Sequence, residues 1–230
     1  MTWWRDGEDY DVFFNRDELK TRLPASPPNL LDTSSGTKYI SPSDPVAGGT
    51  WMLVNEHRLT VCLLNRWHET IPERENFESR GLLVSSMADA MSADEVMQRL
   101  QEIDRAPYKP FTLVAIDPYE LRAKAWNGEL LSDENSSPPL TSSSYRFSEV
   151  AASRAKVFSN LADHELKSLS QYQQGESPAS AYTVRMNRPD AQTWSRSHLS
   201  VRANGIHWEY IEEEPDLIGE GILHTAELPL

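Results

Sequence analysis

A chain of 230 residues, 39% hydrophobic and 25% charged, is long enough to bury a large core, whereas two domains would each be small, so one domain over residues 1–230 is expected. The formal net charge of −13 and the acidic run Glu212-Glu213-Glu214-Pro215-Asp216 argue against nucleic acid as a partner, because a phosphate backbone needs clustered Lys and Arg. The single cysteine, Cys62, excludes an internal disulfide, and with no charged-then-apolar leader and no long apolar span the chain is expected to be soluble and cytoplasmic, without a membrane span. Without a secretion signal, the glycosylation sequon Asn135-Ser136-Ser137 is most simply a chance match.

In chain order, Tyr10 to Phe14 reads as an apolar strand, and Pro24 to Pro45, rich in Pro, Ser and Asp, as a surface excursion. Thr50 to Asn55 and Leu59 to Asn65 are strands joined by the short turn Glu56-His57-Arg58, hence a hairpin. Ser79 to Arg105 reads as two helices, the second with Ser92 and Glu95 at capping-box spacing and Val96, Leu100 and Ile103 on one stripe. Phe111 to Asp117 is a strand. It leads to a hairpin in which Asn127-Gly128 turns Leu121 to Trp126 into Glu129 to Leu131, and Leu140 to Ser144 is expected to extend that sheet. A second helical cluster starts near Ser148, with Val150, Val157 and Leu161 at helical spacing, and runs on through His164 to Gln174. Tyr182 to Met186, Thr193 to Arg202 and Ile206 to Ile211 are the last strands, with Asn204-Gly205 in the final turn. Clustered strands with paired helices do not fit a parallel sheet in which strand and helix alternate. They indicate an α+β protein with antiparallel sheets covered by helix pairs.

The quartet Asn15-Arg16-Asp17-Glu18 directly follows the first strand, where a polar cluster is placed like an active-site edge. With Trp3-Trp4-Arg5-Asp6-Gly7 ahead of it and Thr21-Arg22-Leu23-Pro24 behind it, the text resembles the NRDE, or transport-and-Golgi-organisation, family, whose members are similar to N-terminal-nucleophile (Ntn) hydrolases. The resemblance implies a four-layer αββα sandwich of two antiparallel sheets. In an Ntn hydrolase the first residue attacks an amide carbonyl with its side chain, and its α-amine accepts the proton. Family members usually open Met-Cys-Thr, whereas this chain opens Met1-Thr2-Trp3-Trp4, which matches text about three residues further on. Three alternatives follow. Thr2, freed by removal of Met1, is the nucleophile, or the nucleophile belongs to residues ahead of Met1, or this member has lost it.

The resemblance also assigns roles. Arg16 is expected to fix a substrate carboxylate or carbonyl, and Asp17 to hydrogen-bond the α-amine. Asn65, last in the run from Val54, is the oxyanion-hole candidate, although a strand-ending Asn also bonds turns. Asn15, Ser142 and Arg154 are expected in the substrate pocket. For Ser142 a Ser-rich connection into a helix starting at Ser148 is an adequate alternative, and for Arg154 so is the wet face of an amphipathic helix. Ala47-Gly48-Gly49-Thr50-Trp51 also matches the family, its glycines permitting a close backbone approach to the catalytic strand or simply a turn.

Cys62, in an apolar run, reads as a small buried hydrophobe. Neither His68-Glu69 nor His164-Glu165 is followed by His at metalloprotease spacing, and Gly219-Glu220-Gly221 lacks the rest of a dinucleotide fingerprint. No metal and no cofactor are therefore expected. The function implied is hydrolysis of a non-peptide amide C-N bond in a small molecule. The alternative is a non-catalytic protein that handles haem or an acyl ligand, haem requiring an axial His, Met or Cys.

Overall fold

A computed structural model describes residues 1–67, 69–70, 76–134, 137–213 and 221–230. The sequon, His68, the acidic run from Glu214 and the Gly219-Glu220 pair fall at least partly outside the described residues. Twelve strands and four helices are described: β1 (Thr2–Asp6), β2 (Asp9–Leu19), β3 (Ser26–Asp32), β4 (Lys38–Ser43), β5 (Met52–Asn55), β6 (Thr60–Asn65), α1 (Arg80–Ser85), α2 (Ala93–Glu102), β7 (Phe111–Ile116), β8 (Leu121–Trp126), β9 (Leu131–Asp133), α3 (Phe147–Ser159), α4 (Leu166–Gln174), β10 (Ala191–Arg202), β11 (Gly205–Glu213) and β12 (Gly221–Pro229). The strands form two antiparallel sheets, ordered β1-β2-β10-β11-β12 and β3-β4-β5-β6-β7-β8-β9. The expected α+β sandwich, two antiparallel sheets face to face with helices outside, is what forms.

Strand alternation explains the layering, since successive side chains leave opposite faces. On β2, Tyr10, Val12 and Phe14 point into the core between the sheets, while Phe13 points out to Phe158, Leu169 and Tyr172 of α3 and α4. On β6, Cys62 and Leu64 face the inter-sheet core, and Val61 and Leu63 face Leu83, Val96 and Leu100 of α1 and α2. Both faces of the central strands are covered, so their sequences are apolar at nearly every position. Cys62 is buried and free, as its apolar run predicts. Burying it raises the thiol pKa, which keeps it protonated.

Capping chemistry starts α2: Ser92 Oγ accepts from Glu95 N (3.2 Å), while Glu95 Oε2 accepts from Met91 N (2.8 Å), one residue before the usual capping-box partner. Gly128 sits at φ 104°, and Asn127 Oδ1 accepts from Glu129 N and Leu130 N (2.9 and 2.7 Å), which turns the β8–β9 hairpin.

Five expectations are corrected. The Pro24 to Pro45 stretch is a hairpin, β3 and β4, at the edge of the second sheet; its register shift between Ser26 and Asn29 accommodates the adjacent prolines. The polar quartet lies inside β2, because its backbone pairs with β10 out to Leu19. Leu140 to Ser144 does not extend the second sheet; Leu140 instead exchanges two backbone hydrogen bonds with Met1, both 2.9 Å. Tyr182 to Met186 is not a strand and contributes only an isolated bridge from Met186 to Ser180. Helix α3 begins at Phe147, with Arg146 at φ 39° as its cap, so Ser148 is inside the helix. Strand β12, which sequence patterning missed, completes the first sheet against β11.

Candidate functional site

The cleft lies beside β2, past the last β1–β2 pair. β1 pairs with β2 from Asp6↔Asp9 to Thr2↔Phe13, whereas β2 runs on along β10 to Leu19. Beyond Phe14 that edge of β2 has no β1 neighbour. There a cleft of about 680 Å³ opens, lined by Met1, Asn15, Arg16, Asp17, Trp51, Asn65, Ser142 and Arg154 among others. All six expected site residues other than Thr2 therefore meet in one place, and residues as far apart as Asn15 and Arg154 share its wall.

Arg16 is buried on the inter-sheet side, its guanidinium 4.4 Å from the ring centre of Trp51 and 3.6 Å from Glu18. Burial lowers its pKa, Glu18 pulling the other way. Asp17 faces the helix side. Its Oδ1 accepts from Thr193 Oγ1 (2.6 Å) and its Oδ2 meets Arg154 Nη2 (3.4 Å). Arg154 is only 7% exposed, so it does not lie on the wet face of α3; its Nε donates to the Thr183 carbonyl (3.1 Å). Asn15 Nδ2 is committed to the carbonyls of Gln173 and Val184 (3.0 and 3.2 Å), whereas its Oδ1 is buried without a partner among the described residues.

Asn65 ends β6 with its backbone held: the carbonyl accepts from Ser142 Oγ (2.5 Å). The serine thus clamps the Leu140 segment to the hairpin, and the Asn65 side-chain amide has no hydrogen bond among the described residues. The α-amine of Met1 donates to the Leu140 carbonyl (2.9 Å). Burial, reinforced by Arg154 and opposed by Asp17, lowers its pKa to about 5, so it is neutral at pH 7. Thr2 lies elsewhere. It is opposite Phe13, on the helix-covered face of β1, and its buried Oγ1 has no partner among the described residues.

Sequence reasoning missed Trp51 as the platform under Arg16 and Thr193 as the donor that orients Asp17. Trp51 stood in plain view, at the end of Gly-Gly-Thr-Trp, whereas Thr193 carried no local signal. The close approach that the glycines permit is to α1: a Cβ on Gly49 would lie 2.3 Å from the carbonyl carbon of Gly81, whereas a Cβ on Gly48 would meet nothing within 4 Å. Among the described residues there is no cluster of three or more His, Cys, Asp or Glu that could hold a metal ion. None of the described helices is long and apolar enough to cross a membrane.

The family described as Transport and Golgi organisation 2 matches residues 2–214. The chain belongs to this family. No curated protein matches the chain. Among solved structures, a mutant of the conjugated bile acid hydrolase from Clostridium perfringens superposes with a TM-score of 0.54 at 11% identity, over 96% of this chain and 89% of that one. A second variant of the same enzyme gives 0.52 at 12% identity, over 97% and 94%. At such identities the likeness is one of fold, and for this member of the family the fold is the Ntn-hydrolase sandwich.

Proposed function

We propose that the cleft hydrolyses a non-peptide amide C-N bond of a small molecule, with the first residue of the mature chain as nucleophile and Arg16, Asp17 and Asn65 as its supports. The observation that carries this reading is that one cleft gathers Arg16, Asp17 and Asn65 around the start of β1, where burial beside the charges of Asp17 and Arg154 leaves even the Met1 α-amine neutral. A neutral amine is the base that N-terminal nucleophile chemistry requires. The free amide of Asn65 supplies an N-H for the developing oxyanion, Arg16 fixes the substrate's carbonyl or carboxylate, and Asn15, Ser142 and Arg154 line the pocket around them.

Strand register supports an attacking group ahead of Met1. Continuing the β1–β2 pairing, in which Thr2 stands opposite Phe13, a residue two positions ahead of Met1 would stand opposite Arg16 and share its face. The family's Met-Cys-Thr opening, set directly ahead of Met1, would put its cysteine there. Thr2 itself would have to leave the helix-covered face to attack.

The test compares the chain beginning at Met1 with a form extended upstream by Met-Cys-Thr. The extended form should react with iodoacetamide at its new first residue, beyond any label on buried Cys62, and should turn over acyl-amide substrates, while the shorter form stays silent. Activity of the shorter form that disappears in Thr2→Ala would instead make Thr2 the nucleophile. A second reading is carriage of an acyl ligand or haem, favoured by the apolar side chains of Phe14, Leu63, Leu64, Val184 and Met186 in the cleft. That reading wins if the extended form neither labels nor turns over while the shorter form binds such a ligand. For haem, the cleft offers Met1 and Met186 but no His or Cys among its lining residues.

A further inference from the structure

The chain carries 35 acidic and 22 basic residues, yet among the described residues its cleft is lined by six basic and four acidic side chains. All four carboxylates are already engaged. Asp17 holds Thr193 and Arg154, Glu18 lies 3.6 Å from both Arg16 and Arg22, Asp44 bonds Arg22, and Glu78 interacts with Tyr108. Of the six cations, Arg188 pairs with Asp190 (2.9 Å), which leaves Arg80 and Lys109 without a carboxylate partner among the described residues.

Both are held in place by groups that do not neutralise them. Arg80 Nη1 donates to the Pro110 carbonyl (2.8 Å), which also accepts from Arg66 N (3.2 Å), and its guanidinium lies 5.2 Å from the ring centre of Trp67. Lys109, next in sequence to that proline, has its ammonium 5.3 Å from the ring centre of Phe77. A cation over a ring gains less than a hydrogen-bonded charge partner supplies. Burial lowers the Arg80 pKa to about 10, Glu18 pulling the other way, and it remains a cation at pH 7. A positioned, partly desolvated cation that no carboxylate hydrogen-bonds among the described residues gains more from an arriving anion than one already paired.

We propose that Arg80 and Lys109, flanked by the rings of Trp67 and Phe77, form a subsite of the cleft for an anionic group, a carboxylate, sulfonate or phosphate ester, carried on an apolar, ring-containing body. The two cations take the charge and the two rings take the body. The proposal rests on the cleft being a ligand site, as read above, and does not require that it catalyse anything.

Two fluorescent probes that share their rings test it: anilinonaphthalene sulfonate, which is anionic, and phenylnaphthylamine, which is not. The folded protein should bind the sulfonate on the order of tenfold more tightly than the neutral probe, and the preference should fade as salt is added. Arg80→Gln and Lys109→Glu should each remove most of that preference while leaving the neutral probe's affinity unchanged. Lys109→Glu removes an ammonium that makes no hydrogen bond or ion pair among the described residues and lies over the Phe77 ring, so it serves even if Arg80→Gln loosens the Pro110 turn; near-ultraviolet circular dichroism checks that each variant keeps its packing. Equal affinities for the two probes, or an undiminished sulfonate preference in a folded Lys109→Glu protein, would overturn the proposal. Failure of the extended chain to hydrolyse amides would leave this binding untouched, so the two readings fail separately.

Discussion

At the scale of single residues, the buried charges of the first sheet set the pH response. The Asp11 side chain is fully buried; burial alone would raise its pKa, but hydrogen bonds with His198, Ser200 and Arg202 (2.8, 2.6 and 2.6 Å) outweigh it and hold the carboxyl below its ordinary 3.8. A depressed folded value means that this stabilisation is complete above the unfolded value and is lost as pH falls through the folded one. Asp11→Asn should therefore cost about 1.5–3 kcal/mol at pH 7, and urea unfolding should show the gap closing only under strongly acid conditions. The Met1 amine has the opposite charge type. Between about 5 and 8.0 the unfolded chain binds a proton there that the folded chain does not, so stability should rise with pH across that window. Acetylating the α-amine should flatten the slope. Asp17→Asn should leave the fold intact, since the side chain contributes charge more than packing, and should abolish any amidase activity of the extended form. Unfolding without a separate effect on activity or ligand binding would make Asp17 a structural residue.

At the scale of elements, the attachment of α1 controls one wall of the cleft. Thr50 N donates to the Gly81 carbonyl (3.2 Å), and a Cβ on Gly49 would lie 2.3 Å from the Gly81 carbonyl carbon. The conflict is between two backbones, which no rotamer change relieves. Gly49→Ala should therefore cost at least the ~1–3 kcal/mol typical of overpacking. Thermal unfolding should register it as a drop of about 2–4 °C per kcal/mol. Because α1 carries Arg80, the same variant should weaken the sulfonate preference. A lowered melting temperature with the preference intact would separate the helix attachment from the subsite.

At the scale of the whole molecule, the inter-sheet core draws Tyr10, Val12 and Trp208 from one sheet and Ile40, Cys62 and Val114 from the other. Neither sheet can keep its inner face dry without its partner, so unfolding should be one cooperative transition. Two well-separated calorimetric transitions, or a stable half released by limited proteolysis, would show instead that the 230 residues divide.

The sequence by itself determined the local chemistry: the hairpin turns, the stripe and cap of α2, and the motif text from Trp3 to Asn65 that carries both the family and the sandwich. These are legible because apolar period, turn residues and capping spacing report on neighbours a few positions away. Edge strands escaped that reading. β3 and β4 are written in Pro, Ser and Asp, and β12 leaves Ile222 and Leu223 more than half exposed, so neither shows an apolar face that would announce it. Only the tertiary structure decided which partners the polar residues of the site take. Asp17 meets Thr193 and Arg154 because β10 lies beside β2 and α3 covers their sheet, and the Leu140 segment reaches Met1 rather than the strand it follows. Arg80 and Lys109 look like ordinary surface cations until the four carboxylates of the cleft prove to be engaged elsewhere. A charge's partner is set by what folding brings within a few ångströms, and no periodicity along the chain records that distance.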